Sequence, residues 1–222
     1  MSKNNVNFFK EKNSWSEIKD RLLGCYLPQY FQKLLMSRSP IFYVDCFAGK
    51  GKFEDGNDGS PRIALQVRQK SLAQTRAQTA NIETCFIDLN YADELCGNIS
   101  EFSADGVIGV VSGRYEEKIS ELLSNKQNYN VFLYIDPYGI QALDFDMISG
   151  FADKGFSSIE LLINMNSFGF FRDACRAMSV SKVNNDKAFR DLESELVEYD
   201  PADVKATDQS AQLLTGIAGG DY

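Results

Sequence analysis

The 222-residue chain predicts an α/β fold built on a doubly wound, mainly parallel sheet. Short runs rich in β-branched and aromatic residues alternate with amphipathic helical patterns, as strands joined by crossover helices do. Each run is apolar on both faces, which is the mark of a sheet covered from both sides. The first run also ends in a glycine turn, the place where such sheets bind ligands.

Ser14-Trp15-Ser16-Glu17 reads as a capping box, with Ser14 accepting from first-turn amides and Glu17 reaching back. It opens a helix to about residue 36, whose Ile18, Leu22, Leu23, Leu27, Tyr30, Phe31 and Leu34 recur at helical spacing. A core-covering helix is the plain expectation, with Pro28 placed to kink it. Ile41-Phe42-Tyr43-Val44 follows Pro40 and is the first strand.

Ser60-Pro61 then supplies an N-cap and a proline at the first helical position for a helix over residues 60–79. The loop before it, residues 50–59, is long for a strand-to-helix connection, and such length more often serves function. Further strands are expected at 84–87, 107–111, 131–135 and 159–164, separated by helices at 91–102, 115–124 and 145–153. Beyond Asn166 only helical patterns remain, at 168–178 and 187–199. The expected organisation is a helical segment (1–40), an α/β core (41–166) and a C-terminal helical part (167–222).

The net charge of −8 argues against a broad electrostatic grip on nucleic acid, while leaving room for local basic patches. With no histidine in the chain, imidazole cannot serve as base or metal ligand, and Ser-His or Cys-His nucleophile pairs are excluded. The five cysteines have no CxxC spacing and suggest neither zinc nor a disulfide framework. No metal site is expected. Neither a long apolar span nor a signal-peptide core is present, so a cytoplasmic protein is expected.

Chemistry-bearing residues gather at the predicted strand tips. Asp45-Cys46-Phe47-Ala48-Gly49-Lys50-Gly51 puts a carboxylate at the end of strand one and glycines in the turn after it. That arrangement suits a nucleotide-like ligand, through Asp45, Phe47, Gly49 and Gly51, or a plain tight turn. Asp88 ends strand two, where it could accept both hydroxyls of a ribose or cap the next helix. Ser112 and Gly113 end strand three, either as a polar contact for a base or as a simple glycine turn.

Strand four ends in Asp136-Pro137-Tyr138-Gly139. A carboxylate and a proline-constrained carbonyl can accept the two hydrogens of a conjugated amine, and an aromatic can stack on its ring. An Asp-Pro turn with no ligand is the alternative. Asn164 and Asn166 are further candidates for substrate contact, whereas Phe168, Phe170 and Phe171 read as packing residues.

Asp-x-Phe-Ala-Gly-x-Gly resembles the first motif of nucleic-acid amino-methyltransferases, and Asp136-Pro137-Tyr138-Gly139 resembles their Asp-Pro-Pro-Tyr signature. It is closer still to the Asp-Pro-Phe/Tyr-Gly form of tRNA guanine N2-methyltransferases. Together with Trp15, Gly59-Ser60-Pro61, Phe86-Ile87-Asp88 and Glu160-Leu161-Leu162-Ile163-Asn164, the order of motifs resembles the three-Cys-motif partner protein family, over about residues 10–222.

The resemblance implies a Rossmann-like class I methyltransferase fold and S-adenosyl-L-methionine as cofactor, held by Asp45, Phe47, Gly49, Gly51, Asp88 and Ser112. Asp136, Pro137 and Tyr138 would be catalytic. The implied substrate is an exocyclic base amine in DNA or RNA, in a bacterial or phage-associated setting. A partner from a neighbouring gene is also implied, and with it the alternative of a non-catalytic member of a protein complex. That fold usually ends in two more strands. Their absence from the pattern implies either a shortened chain or a C-terminal departure from the plan. A nucleotide-dependent enzyme or nuclease is disfavoured by the lack of a Gly-Lys-Ser/Thr loop and of an Asp…Glu-x-Lys cluster.

Overall fold

In the computed structural model, residues 8–37, 39–75, 81–105, 108–137 and 143–165 are described. Its strands are β1 (Ile41–Asp45), β2 (Ile82–Asp88), β3 (Ile108–Ser112), β4 (Asn130–Ile135) and β5 (Ser158–Ile163), and its helices are α1 (Ser14–Leu35), α2 (Ser60–Gln74), α3 (Ala92–Ile99), α4 (Tyr115–Leu123) and α5 (Phe145–Ser149). The chain divides into two units, Met1–Phe170 and Phe171–Tyr222, and every described residue lies in the first. The expected helices at 168–178 and 187–199 therefore fall outside the described residues.

All strand pairs are parallel, in the order β3-β2-β1-β4-β5. This is the expected doubly wound α/β arrangement. Alternation along β1 sends Ile41 and Tyr43 to one face and Phe42 and Val44 to the other. The first face packs Leu23, Leu27, Tyr30 and Phe31 of α1, Ala64 and Leu65 of α2 and Leu95 of α3. The second packs Tyr115, Ile119 and Leu123 of α4 and Phe151. Tyr43 stacks on Phe132 of β4 with ring centroids 5.7 Å apart, and burying the Phe132 ring contributes roughly 1.5–3 kcal/mol.

Because the chain runs outward to β3 and then returns to β4 beside β1, the order reverses between β1 and β4. The C-terminal ends of those strands part there, leaving a crevice. Cys46 N donates to Tyr134 O at 2.9 Å, the last bond before the strands separate.

Two caps differ from expectation. Asn13, not Ser14, caps α1, its Oδ1 accepting from Ser16 N at 2.8 Å. Ser60 is not the cap of α2: that position is Gly59, and Ser60 is the first helical residue, with Pro61 behind it. Pro28 sits inside a continuous α1. The helix expected at 91–102 is α3 followed by a 3-10 helix, Ser100–Asp105, and α5 likewise passes into the 3-10 helix Gly150–Lys154. Among the described residues no helix is long and apolar enough to cross a membrane.

Candidate functional site

The crevice between β1 and β4 holds a cavity of about 310 Å³. Its floor is the turn after β1 and its far wall is Asp136-Pro137 at the tip of β4, with Ile163, Asn164 and Met165 after β5. The first turns of α1 close another side with Trp15, Ser16, Lys19 and Asp20, and Phe8 and Phe9 close the top.

Asp45 is fully buried at the base of this site. Its Oδ2 accepts from Ser60 Oγ at 2.7 Å and its Oδ1 from Phe47 N at 3.2 Å. The serine read as a helix cap is therefore a carboxylate partner. Burial pushes the Asp45 carboxyl up to about 7, the nearby charges of Asp136 and Asp20 push the same way, and the two hydrogen bonds oppose them.

Gly49 and Gly51 adopt φ of +63° and +73°, a region that favours glycine. A Cβ on Gly51 would meet Leu95 Cδ1 at 2.7 Å, and one on Gly49 would meet the Phe9 ring at 3.1 Å. Their missing side chains are thus matched by the chain's own packing, while their backbone still lines the cavity.

Asp88 is held by main chain alone. Its Oδ2 accepts from Gly49 N at 2.8 Å, and its Oδ1 accepts from Asn90 N and Tyr91 N, each at 2.8 Å. It ties the β1 turn to the start of α3, with 8% of its surface exposed. Asp88 and Ser112 pair across β2 and β3 at their tips, and neither lines the cavity. Ser112 is exposed, with Gly113 turning at φ +142° beside Lys118.

Asp136 lies in the cavity wall, its Oδ2 2.5 Å from Lys19 Nζ. Burial raises its carboxyl from the usual range and Lys19 opposes that rise. Asp20 is paired in the same way with Lys12 Nζ at 2.6 Å, and burial raises it too. Asn164 Nδ2 donates to the Tyr134 hydroxyl at 2.8 Å. Tyr138 and Asn166 lie outside the described residues.

Of the residues singled out from sequence, the fold brings Phe47, Gly49, Gly51, Asp136, Pro137 and Asn164 to one cavity, with Asp45 bonded beneath it through Ser60. Sequence reading missed Lys12, Lys19, Asp20 and Phe9. Asp20 lies on the buried stripe of α1, in line with Ser16, Leu23 and Leu27, with Lys19 beside it, whereas Ile18 and Leu22 of the expected stripe are exposed. Only a conflict could have flagged Asp20, an acidic residue buried on a helix that covers a core.

The long loop at 50–59 is a small closed structure rather than an open strap. Lys52 bridges Asp58, and Phe53 N donates to Asn57 O at 2.9 Å. The segment before α1 clasps it: Glu54 N donates to Phe9 O at 2.8 Å, Lys12 N to Asp55 Oδ2 at 2.8 Å and Lys12 Nζ to Asp58 O at 2.6 Å. Phe9 also packs on Phe53 and Tyr91, and Lys50 Nζ lies over the rings of Phe9 and Tyr91.

The four described cysteines are free thiols, Cys46 and Cys85 buried and Cys25 and Cys96 exposed. Among the described residues no group of three or more acidic or cysteine side chains could hold a metal ion.

No family model matches the chain and no curated protein is significantly similar to it, so the resemblance to the three-Cys-motif partner family rests on its motifs. Among solved structures, a methyltransferase from Geobacter sulfurreducens superposes with a TM-score of 0.37 and 6% identity, covering 71% of this chain and 74% of its own. A likeness so distant assigns neither a fold family nor a reaction.

Proposed function

We propose that the protein is an S-adenosyl-L-methionine-dependent N-methyltransferase acting on an exocyclic amine of a base in DNA or RNA. The observation that carries this is the convergence of two separately recognised motifs, the Asp45–Gly51 turn and Asp136-Pro137, on one cavity at the switch point of the sheet.

The cavity's chemistry suits the cofactor. Phe8, Phe9, Trp15 and Phe47 offer apolar and aromatic surface, and Lys52 can face a carboxylate. Asp88, the ribose acceptor that the motif implies, ends β2 outside the cavity lining with three amides on its oxygens. S-adenosyl-L-methionine, when bound, supplies an electrophilic methyl group.

A base amine has its lone pair delocalised into the ring. Asp136 and the main chain at Pro137 accept its hydrogens, which returns electron density to the nitrogen and fixes the lone pair toward the methyl group. Asp136 accepts in its ionised form, which burial disfavours and the Lys19 ammonium favours. The role that the motif gives Tyr138 is to stack on the base.

Calorimetric titration of the intact chain with S-adenosylhomocysteine tests the cofactor, and transfer of a labelled methyl group to DNA and RNA tests the reaction. Saturable binding and transfer lost in Asp136→Asn are expected. Absence of binding by folded protein overturns the proposal. The acidic charge of −8 favours a second reading, a non-catalytic member of a protein complex that keeps the fold as a scaffold. It is selected if Asp136→Asn retains both cofactor affinity and every cellular effect.

A further inference from the structure

In the cavity wall Asp136 is paired with one cation, Lys19. The Lys19–Asp136 pair joins the first turns of α1 to the tip of β4, with side chains only 20% and 24% exposed. Lys12 pairs with Asp20 across the same end of α1. Asp45, the third carboxylate here, is met by Ser60 and the Phe47 amide, and burial leaves it only partly charged near neutral pH. Each carboxylate therefore has its own cation or donor, so the wall does not form a negative well for a positively charged ligand.

We infer that Lys19 is a specificity-determining residue: by holding Asp136 Oδ2 and placing a positive charge beside it, Lys19 reserves the remaining oxygen for the N–H of an uncharged amine and turns away protonated alkylamines. A carboxylate alone would favour the alkylammonium, because a full charge outweighs a neutral donor. With an ammonium already in contact, an incoming cation meets like-charge repulsion. A neutral amine conjugated to a ring meets none. Trp15, one turn earlier and 62% exposed, presents an indole to the same cavity on which a flat ring can stack. The inference rests on the proposal that this cavity receives an amine, and it names the class of amine and the residue that selects it.

The test is calorimetric binding to the intact chain of cytidine, a neutral ring amine, and phenethylammonium, a cation of similar size, each with and without saturating S-adenosylhomocysteine. Wild type is expected to prefer cytidine. Lys19→Met is expected to raise phenethylammonium affinity at least tenfold relative to cytidine, and Lys19→Arg to restore the wild-type ratio. Lys19→Gln serves the same purpose if the methionine variant does not fold. A ratio within twofold of wild type in both neutral variants overturns the inference, as does a wild type that prefers the cation or binds neither probe. Loss of S-adenosylhomocysteine binding with the ratio moving as expected removes the methyl-transfer proposal alone. Retained binding with an unmoved ratio removes this one alone.

Discussion

The tips of β1 and β4 lie side by side and bear the two motifs, yet they are built in opposite ways. After β1 nearly every special feature is consumed internally: Gly51 makes room for Leu95, Gly49 for Phe9, and Asp88 spends its oxygens on three backbone amides. At β4 the Asp136 carboxylate faces a cavity and is met by a single side chain from a remote helix. A glycine-rich turn can thus be required by packing and still shape a floor, whereas the residue free to change partners sits across from it. Chemistry is expected where hydrogen-bonding capacity is left over.

That contrast can be broken most decisively at Asp136. Asp136→Asn should lower methyl transfer by about 10²–10³-fold, roughly 3–4 kcal/mol, while urea denaturation moves by less than about 1 kcal/mol. A large stability loss would make Asp136 a structural residue like Asp88.

Asp45 comes next, through pH. Its folded carboxyl is raised to about 7, so the folded chain holds the proton more tightly than the unfolded chain, whose value is near 3.8. The stability contributed by this group is fully present below about pH 4 and is lost as pH rises through about 7. Between about pH 5 and about pH 8, wild type should lose on the order of 3 kcal/mol more than Asp45→Asn. Equal losses in paired denaturation curves would show that Asp45 is ionised in the fold throughout.

Within the β1 turn, Gly51→Ala should destabilise by roughly 2–3 kcal/mol, since it adds both left-handed strain and overlap with Leu95. Gly56 supplies the control: its φ is +90° with open space around it, so Gly56→Ala should cost only about 1 kcal/mol. Equal effects would mean that Leu95 moves aside without penalty. Apart from that control, the smallest is Asp88→Asn, expected to cost about 1–2 kcal/mol because an amide group would face the Gly49 N–H where a carboxylate oxygen accepted it. Thermal melts at one pH check both.

The elements themselves were legible because each rests on a local cause. Ile41-Phe42-Tyr43-Val44 is too short, apolar and β-branched to be anything but a buried strand, and Pro61 marks the first turn of α2 as plainly as any side chain can. The caps lie one residue before those expected: Asn13 and Ser14 can each accept the first amides of α1, while Ser60 gives its hydroxyl to Asp45 and the cap position of α2 falls to Gly59, which has no side chain to accept. Asp88 was readable as two things, and the hydrogen bonds to Asn90 and Tyr91 are those of the turn it begins.

By itself, the sequence determined the order and type of the strands and helices, the carboxylates at the strand tips and the glycines of the first turn, since these follow from periodicity and backbone freedom within a few residues. Tertiary structure alone decided which of them meet. Ser60 reaching Asp45 spans 15 residues and Lys19 reaching Asp136 spans 117. No local pattern encodes such pairs: they exist because the parallel crossovers bring β1 and β4 together and lay α1 across their ends.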